Sequence, residues 1–253
     1  MTPLQIDRRD RLVWVRLDRG KTHSLDPDIV RRLRALFEEM AHDDSVGAVI
    51  LCGLGDRFFC NGLDVACLME LSRREMTSFV DDFLGLCRDM YLFPRPLVAA
   101  INGHAMAGGL ILALTADYRI VCDENRSLGF TEIRLGLPVP REAVMILSEL
   151  VGNRTAHRLA LTGETLLPEA AYRAGLVHEV TSFRHLQTVA ETVAAERAAL
   201  PHVAYARIKR YLRSATAGSM APLAASSRDE FLECWYFPET QAALKKLTQK
   251  QPD

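Results

Sequence analysis

The sequence has no charge excess. Its 31 Lys and Arg stand against 32 Asp and Glu, a formal net charge of -1. A dedicated nucleic-acid binder carries a basic surplus or a basic stripe, so that class is disfavoured. Arg31, Arg32 and Arg34 do cluster, but Glu38 and Glu39 follow at once, the pattern of a solvated helix face. No apolar run approaches the ~18 residues a membrane helix needs, so no membrane partner is expected. The first ten residues are charged early, which predicts no secretory signal. Six cysteines are present without a Cys-x-x-Cys pair. They read as reduced thiols of a cytoplasmic protein, not as a zinc site or disulfide frame. No metal or redox cofactor is indicated. Low-complexity tracts and repeats of fixed period are also missing.

What is present is an apolar fraction of 49% over 253 residues, enough to bury the core of one large domain, or of a core with an appendage. Residues 12–17 read as a strand. Asp26-Pro27 supplies a cap and a first-turn proline, and Ile29, Val30, Leu33, Leu36, Phe37 and Met40 continue at helical spacing to about 42. Residues 46–51 form a short apolar run ended by Gly53, as in a strand buried on both faces. A loop extends through Asp64. Helices are expected over 65–71 and 74–91, a buried strand over 97–101, a helix over 110–116 and a strand over 118–122. This alternation predicts α/β architecture with parallel pairing. Beyond 141 the pattern is mostly helical, with a short helix from Pro168 to Gly175 and a last strand at 177–180. The final stretch reads as three helices, 202–215, 226–235 and 238–249, with a joint at 216–219. A core at 1–200 and a helical tail at 201–253 are expected.

Three segments carry possible chemistry. In 99–109 a buried strand runs through Asn102-Gly103 into Gly108-Gly109 and a helix. Glycines admit close backbone approach, and a helix start offers free N–H groups at its positive end, which suits a phosphate or a developing oxyanion. The same residues also suit a tight strand-to-helix turn packed for its own sake. In 57–64 another glycine follows another buried strand, as in many ordinary loops. In 128–138 Glu132 lies in an apolar, glycine-flanked run. Desolvated there, it would have a raised pKa suited to proton transfer; on a surface strand it would simply pair with Arg134.

In this order and spacing the three segments resemble the crotonase superfamily of enoyl-CoA hydratases and isomerases. The most specific stretch, 102–120, contains Ala107-Gly108-Gly109 and Ala116-Asp117-Tyr118-Arg119-Ile120. With Gly62-Leu63-Asp64 it is most similar to mitochondrial-type 3,2-trans-enoyl-CoA isomerases. The resemblance implies a spiral of ββα units with a C-terminal helical trimerisation region, a homotrimer or dimer of trimers, and an acyl-CoA thioester as substrate, with no further cofactor. It implies that the thioester oxygen is held by the backbone N–H groups of Leu63 and Gly108. By position it also implies CoA contacts by Arg57, by Ser24 and Leu25 of the His23-Ser24-Leu25 loop, and by Gly62, Asp64 and Gly109.

Hydratases of this superfamily use two glutamates. One position is Ile111 here; the other is Glu132. Hydration needs a water to be oriented and activated, work that two carboxylates share well. Moving a double bond from the 3,4 to the 2,3 position needs only one carboxylate that removes a proton at C2 and returns it at C4. The expected activity is therefore 3-enoyl-CoA to 2-trans-enoyl-CoA isomerisation, with hydratase, CoA-ester hydrolase or lyase chemistry and non-enzymatic RNA binding as alternatives. Glu142, after Pro140, is a rival base or a first-turn helix carboxylate. Met69, Met90, Phe83 and Leu84 are candidates for an acyl pocket or plain core. Phe231, Leu232, Trp235, Tyr236 and Phe237 suit docking onto the core or a subunit interface. His104 is expected to pack or bond backbone. Cys60, lacking a His partner, is not expected to act as a nucleophile.

Overall fold

A computed structural model describes residues 3–249. The chain winds as a spiral in which successive turns give one strand to a large sheet, one to a small sheet, and then a helix. The large sheet contains β1 (Leu4–Arg9), β2 (Leu12–Leu17), β3 (Ala48–Gly53), β5 (Leu97–Ile101), β7 (Tyr118–Cys122) and β10 (Glu179–Thr181), adjacent in that order. Only β1 is antiparallel to its neighbour. The small sheet contains β4 (Phe58–Cys60), β6 (His104–Met106), β8 (Leu128–Gly129) and β9 (Thr165–Leu166).

Helices close the turns. α1 (Pro27–His42) is capped by the Asp26 side chain, which accepts from the Ile29 N–H at 2.9 Å. After β4 come α2 (Val65–Met69) and α3 (Arg73–Tyr91); Ser72 and Glu75 form a reciprocal capping box at the start of α3. After β6 comes α4 (Gly108–Thr115). After β8 come a 3-10 turn (Glu132–Leu135) and α5 (Arg141–Thr162), the latter broken at Gly152. α6 (Pro168–Arg173) and α7 (Phe183–Ala198) flank β10.

Both faces of the large sheet are covered, which explains the continuous apolar runs. Val49 and Leu51 face the main core, while Ile50 and Cys52 face a second cluster under α7 built on Trp14, Val98, Leu186 and Val193. No described helix is long and apolar enough to cross a membrane.

The expected joint at 216–219 does not break the chain. α8 (His202–Trp235) runs for 34 residues, roughly 50 Å at 1.5 Å per residue, with Pro222 inside it. Packing overrides the weak propensities of Gly218 and Pro222. Asp117 takes Lys209 Nζ at 2.7 Å and Arg213 Nη2 at 2.9 Å. Thr216 donates to Glu149 of α5 at 2.9 Å, and Met220 is buried. α9 (Pro238–Gln249) then returns over the 3-10 turn, where Thr240 Oγ1 donates to the Gly136 carbonyl at 3.2 Å.

Candidate active site

The site forms where the loops after β4, β6 and β8 come together. Asn102 locks the turns that lead into β4 and β6. Its Oδ1 accepts the Gly53 N–H at 2.9 Å, and its Nδ2 donates to the carbonyls of Gly53 at 3.0 Å and Gly55 at 2.8 Å. This satisfies backbone groups that the strand ends would otherwise bury unpaired.

The first loop is held by a single parallel bridge between Leu25 and Leu63. Leu25 N–H donates to Gly62 O at 2.7 Å, and Asp64 N–H donates to Leu25 O at 2.9 Å. Leu63 lies between them, and no described residue accepts its N–H. In the second loop Ala107 has φ 49 and ψ -125, a costly conformation for a residue with a Cβ. It is fixed by donation from its N–H to Gly129 O at 2.8 Å. Gly108 then opens α4 with no side-chain cap and no described acceptor for its N–H. The two loops touch. A Cβ on Gly62, whose φ is +94, would lie 3.0 Å from Met106 O and 3.2 Å from Gly108 N. A Cβ on Gly109 would lie 2.1 Å from Cys60 O, so β4 and α4 approach as closely as they do only because that position is glycine.

These loops open into a cavity of about 380 Å³. Leu63, Gly108, Ile111 and Glu132 line it together. Thr22, Ser24, Asn61 and Asp64 line it as well. α3 contributes Phe79, Val80, Phe83 and Leu84, α8 contributes Phe231 and Trp235, and α9 contributes Leu247 and Thr248.

The carboxylate is set by the small sheet. β8 pairs with β6 and delivers Thr131 and Glu132 beside Ala107. Glu132 is only 7% exposed, and its Oε2 has no hydrogen-bond partner. Burial pushes its pKa up to about 7, and the backbone N–H groups of Glu132 and Thr131 offset this only in part. Ile111, 2% exposed, presents hydrocarbon to the same cavity.

Other sequence candidates lie elsewhere. Gly62 and Gly109 shape the loops without lining the cavity, and Leu25 is fully buried, supporting Gly62 and Asp64 through its backbone. Arg57 lies outside the lining, its guanidinium over the Phe58 ring. Glu142 is buried outside the lining; its Oε2 accepts the Ser227 hydroxyl at 2.7 Å and its Oε1 has no partner. His104 accepts the Ser127 N–H at 2.9 Å, and burial holds its pKa below the usual value. Burial pushes the Cys60 thiol up to about 12, unlike an activated nucleophile. Phe83 and Leu84 do line the cavity, but Met69 and Met90 do not. Phe231 and Trp235 stood out in the sequence only as part of a docking cluster, and Phe79 and Leu247 carried no distinct signal. Helical spacing marks them as buried without saying against what.

Known proteins share this architecture. The human mitochondrial delta3-delta2-enoyl-CoA isomerase superposes with a TM-score of 0.93 at 26% identity, covering 98% of this chain and 97% of that one. DspI of Pseudomonas aeruginosa superposes with a TM-score of 0.81 at 25% identity, covering 99% of this chain and 95% of that one. Carnitinyl-CoA dehydratase of Proteus mirabilis is 29% identical over 211 residues, 83% of this chain and 80% of that protein. The sequence profile of enoyl-CoA hydratase/isomerase matches residues 7–234. The chain therefore belongs to the enoyl-CoA hydratase/isomerase family of the crotonase superfamily.

Proposed function

We propose that this enzyme converts 3-enoyl-CoA to 2-trans-enoyl-CoA with Glu132 as its single acid and base. The observation that carries this reading is the pairing of one buried carboxylate, held near pKa 7, with the hydrocarbon of Ile111 in the same cavity. The thioester oxygen accepts from the N–H groups of Leu63 and Gly108, which no described residue takes up. Glu132 removes a proton from C2, and the electron pair moves onto the thioester oxygen as an enolate. Return of that proton at C4 collapses the enolate to the conjugated 2-enoyl thioester. The N–H pair and the positive end of α4 stabilise the enolate; one such donor is typically worth on the order of 10²–10³ in rate.

Ser24 and Asp64, which line the cavity, and Arg57 are assigned to the CoA side, with Leu25, Gly62 and Gly109 acting through the backbone that holds these loops. Residues 201–253 are assigned to covering the site and to assembly as a homotrimer or dimer of trimers. Phe231, Trp235, Leu247 and Thr248 in the cavity wall support the covering role. Exposed Ile208, Tyr211 and Leu212 on α8 support the assembly role.

A second reading, reversible loss or addition of water, draws support from the dehydratase relatives. A paired assay separates the two. Ultraviolet absorbance of the conjugated thioester rises when a 3-enoyl-CoA is isomerised and falls when a 2-enoyl-CoA is hydrated. A rise with the first substrate and no change with the second is expected. A fall with the second would replace isomerase by hydratase.

A further inference from the structure

The acyl side of the cavity is walled by two aromatic pairs. Phe79 and Phe83 of α3 stack with centroids 6.3 Å apart and planes 12° apart; Phe231 and Trp235 of α8 stack at 6.1 Å and 24°. All four are buried, at 2 to 5% exposure. Phe83 differs from the others in where its ring ends. A Cβ built on Gly108 would lie 3.4 Å from Phe83 Cζ and 3.3 Å from Leu63 Cδ2. The tip of the Phe83 ring therefore lies against the glycine whose N–H is assigned to the thioester oxygen. A bound oxygen sits about 3 Å from such an N–H, and carbon 2 of the acyl group is only two bonds from that oxygen. Phe83 is also poorly able to retreat: it stacks on Phe79 and is only 4% exposed.

We propose that Phe83 selects unbranched acyl chains, its ring tip filling the space that a substituent on carbon 2 would need. This rests on acyl-CoA binding in the cavity described above. The selection is steric, so it acts on saturated and unsaturated thioesters alike. Forcing one extra methyl into a packed site costs a factor on the order of 10- to 100-fold in affinity.

The test is calorimetric binding of hexanoyl-CoA and 2-methylhexanoyl-CoA, which needs no turnover. Wild type is expected to favour the unbranched thioester by roughly 10-fold or more. In Phe83→Leu, which shortens the tip, the ratio falls to about threefold or less. In Phe79→Leu, one turn away, both affinities change in parallel and the ratio stays near the wild-type one. If Phe83→Leu does not fold, as read from its melting curve, Phe83→Met carries the same expectation. A wild-type ratio near one, an unchanged ratio in the Phe83 variants, or an equal collapse in Phe79→Leu would overturn the proposal. If wild type discriminates between the two thioesters but leaves 3-enoyl-CoA untouched, the isomerase reading falls and the steric selection stands. If neither thioester binds, both fall.

Discussion

Replacing Glu132 by Gln is expected to stabilise the protein above about pH 4.5, with the full effect reached above about pH 7. The carboxyl has an ordinary pKa of 4.5 when unfolded and about 7 in the folded chain, because burial penalises the anion. The folded state therefore holds the proton more tightly. Its contribution to stability is fully present below about pH 4.5, is lost as pH rises through about 7, and is gone above that. At 1.36 kcal/mol per pH unit the loss is about 3 kcal/mol. Gln fills the same space without ionising, so the variant escapes the loss. Thermal melts of both proteins at pH 5 and pH 8 isolate this one group, since every other titrating side chain is common to both. About 2.5 kcal/mol of this loss falls between the two pH values, so at roughly 2–4 °C per kcal/mol for a chain of this size the variant's advantage should grow by about 5–10 °C. An advantage that does not change with pH would show that Glu132 is not held protonated by burial, and the argument for its proton-transfer range would go with it.

The same group sets the rate. Since the base must be ionised, kcat/KM for a 3-enoyl-CoA should rise about tenfold per pH unit below about 7 and level off above it; a flat profile would contradict this. Ile111→Glu places a second carboxylate in the cavity, so it should lower the melting temperature and produce a measurable loss of 2-enoyl-CoA absorbance where wild type gives none. Gly109→Ala drives a methyl to 2.1 Å from Cys60 O and should cost about 3 kcal/mol in denaturant unfolding. A cost under 1 kcal/mol would mean that β4 and α4 can separate freely.

Much of this was legible from local pattern. Asp26-Pro27 announces α1, and the apolar runs announce β3, β5 and β7. The elements that sequence reading misses depend on distant partners. β4 and β6 are three residues each and exist because Phe58 pairs with His104 across the two loops. β1 has a mixed, largely exposed composition and is ordered by pairing with β2. α8 looks divided at 216–219, yet Arg213, Thr216 and Met220 hold it against the core. In the site, Glu132 was visible because a carboxylate in an apolar run is costly. Glu142 looked like a rival, but its Oε2 turns to Ser227 of α8, a contact no spacing rule reveals. The aromatic residues near the end of the chain read as a docking surface, and two of them became the cavity wall.

The central claim is that one carboxylate carries the proton from C2 to C4. The measurement that meets it most directly is the turnover of a 3-enoyl-CoA by Glu132→Gln at pH 8, beside calorimetric binding of hexanoyl-CoA to the same protein. A fall of roughly 10²–10⁴-fold in kcat is expected, with thioester binding retained. A variant that binds the thioester and keeps the wild-type rate would contradict it.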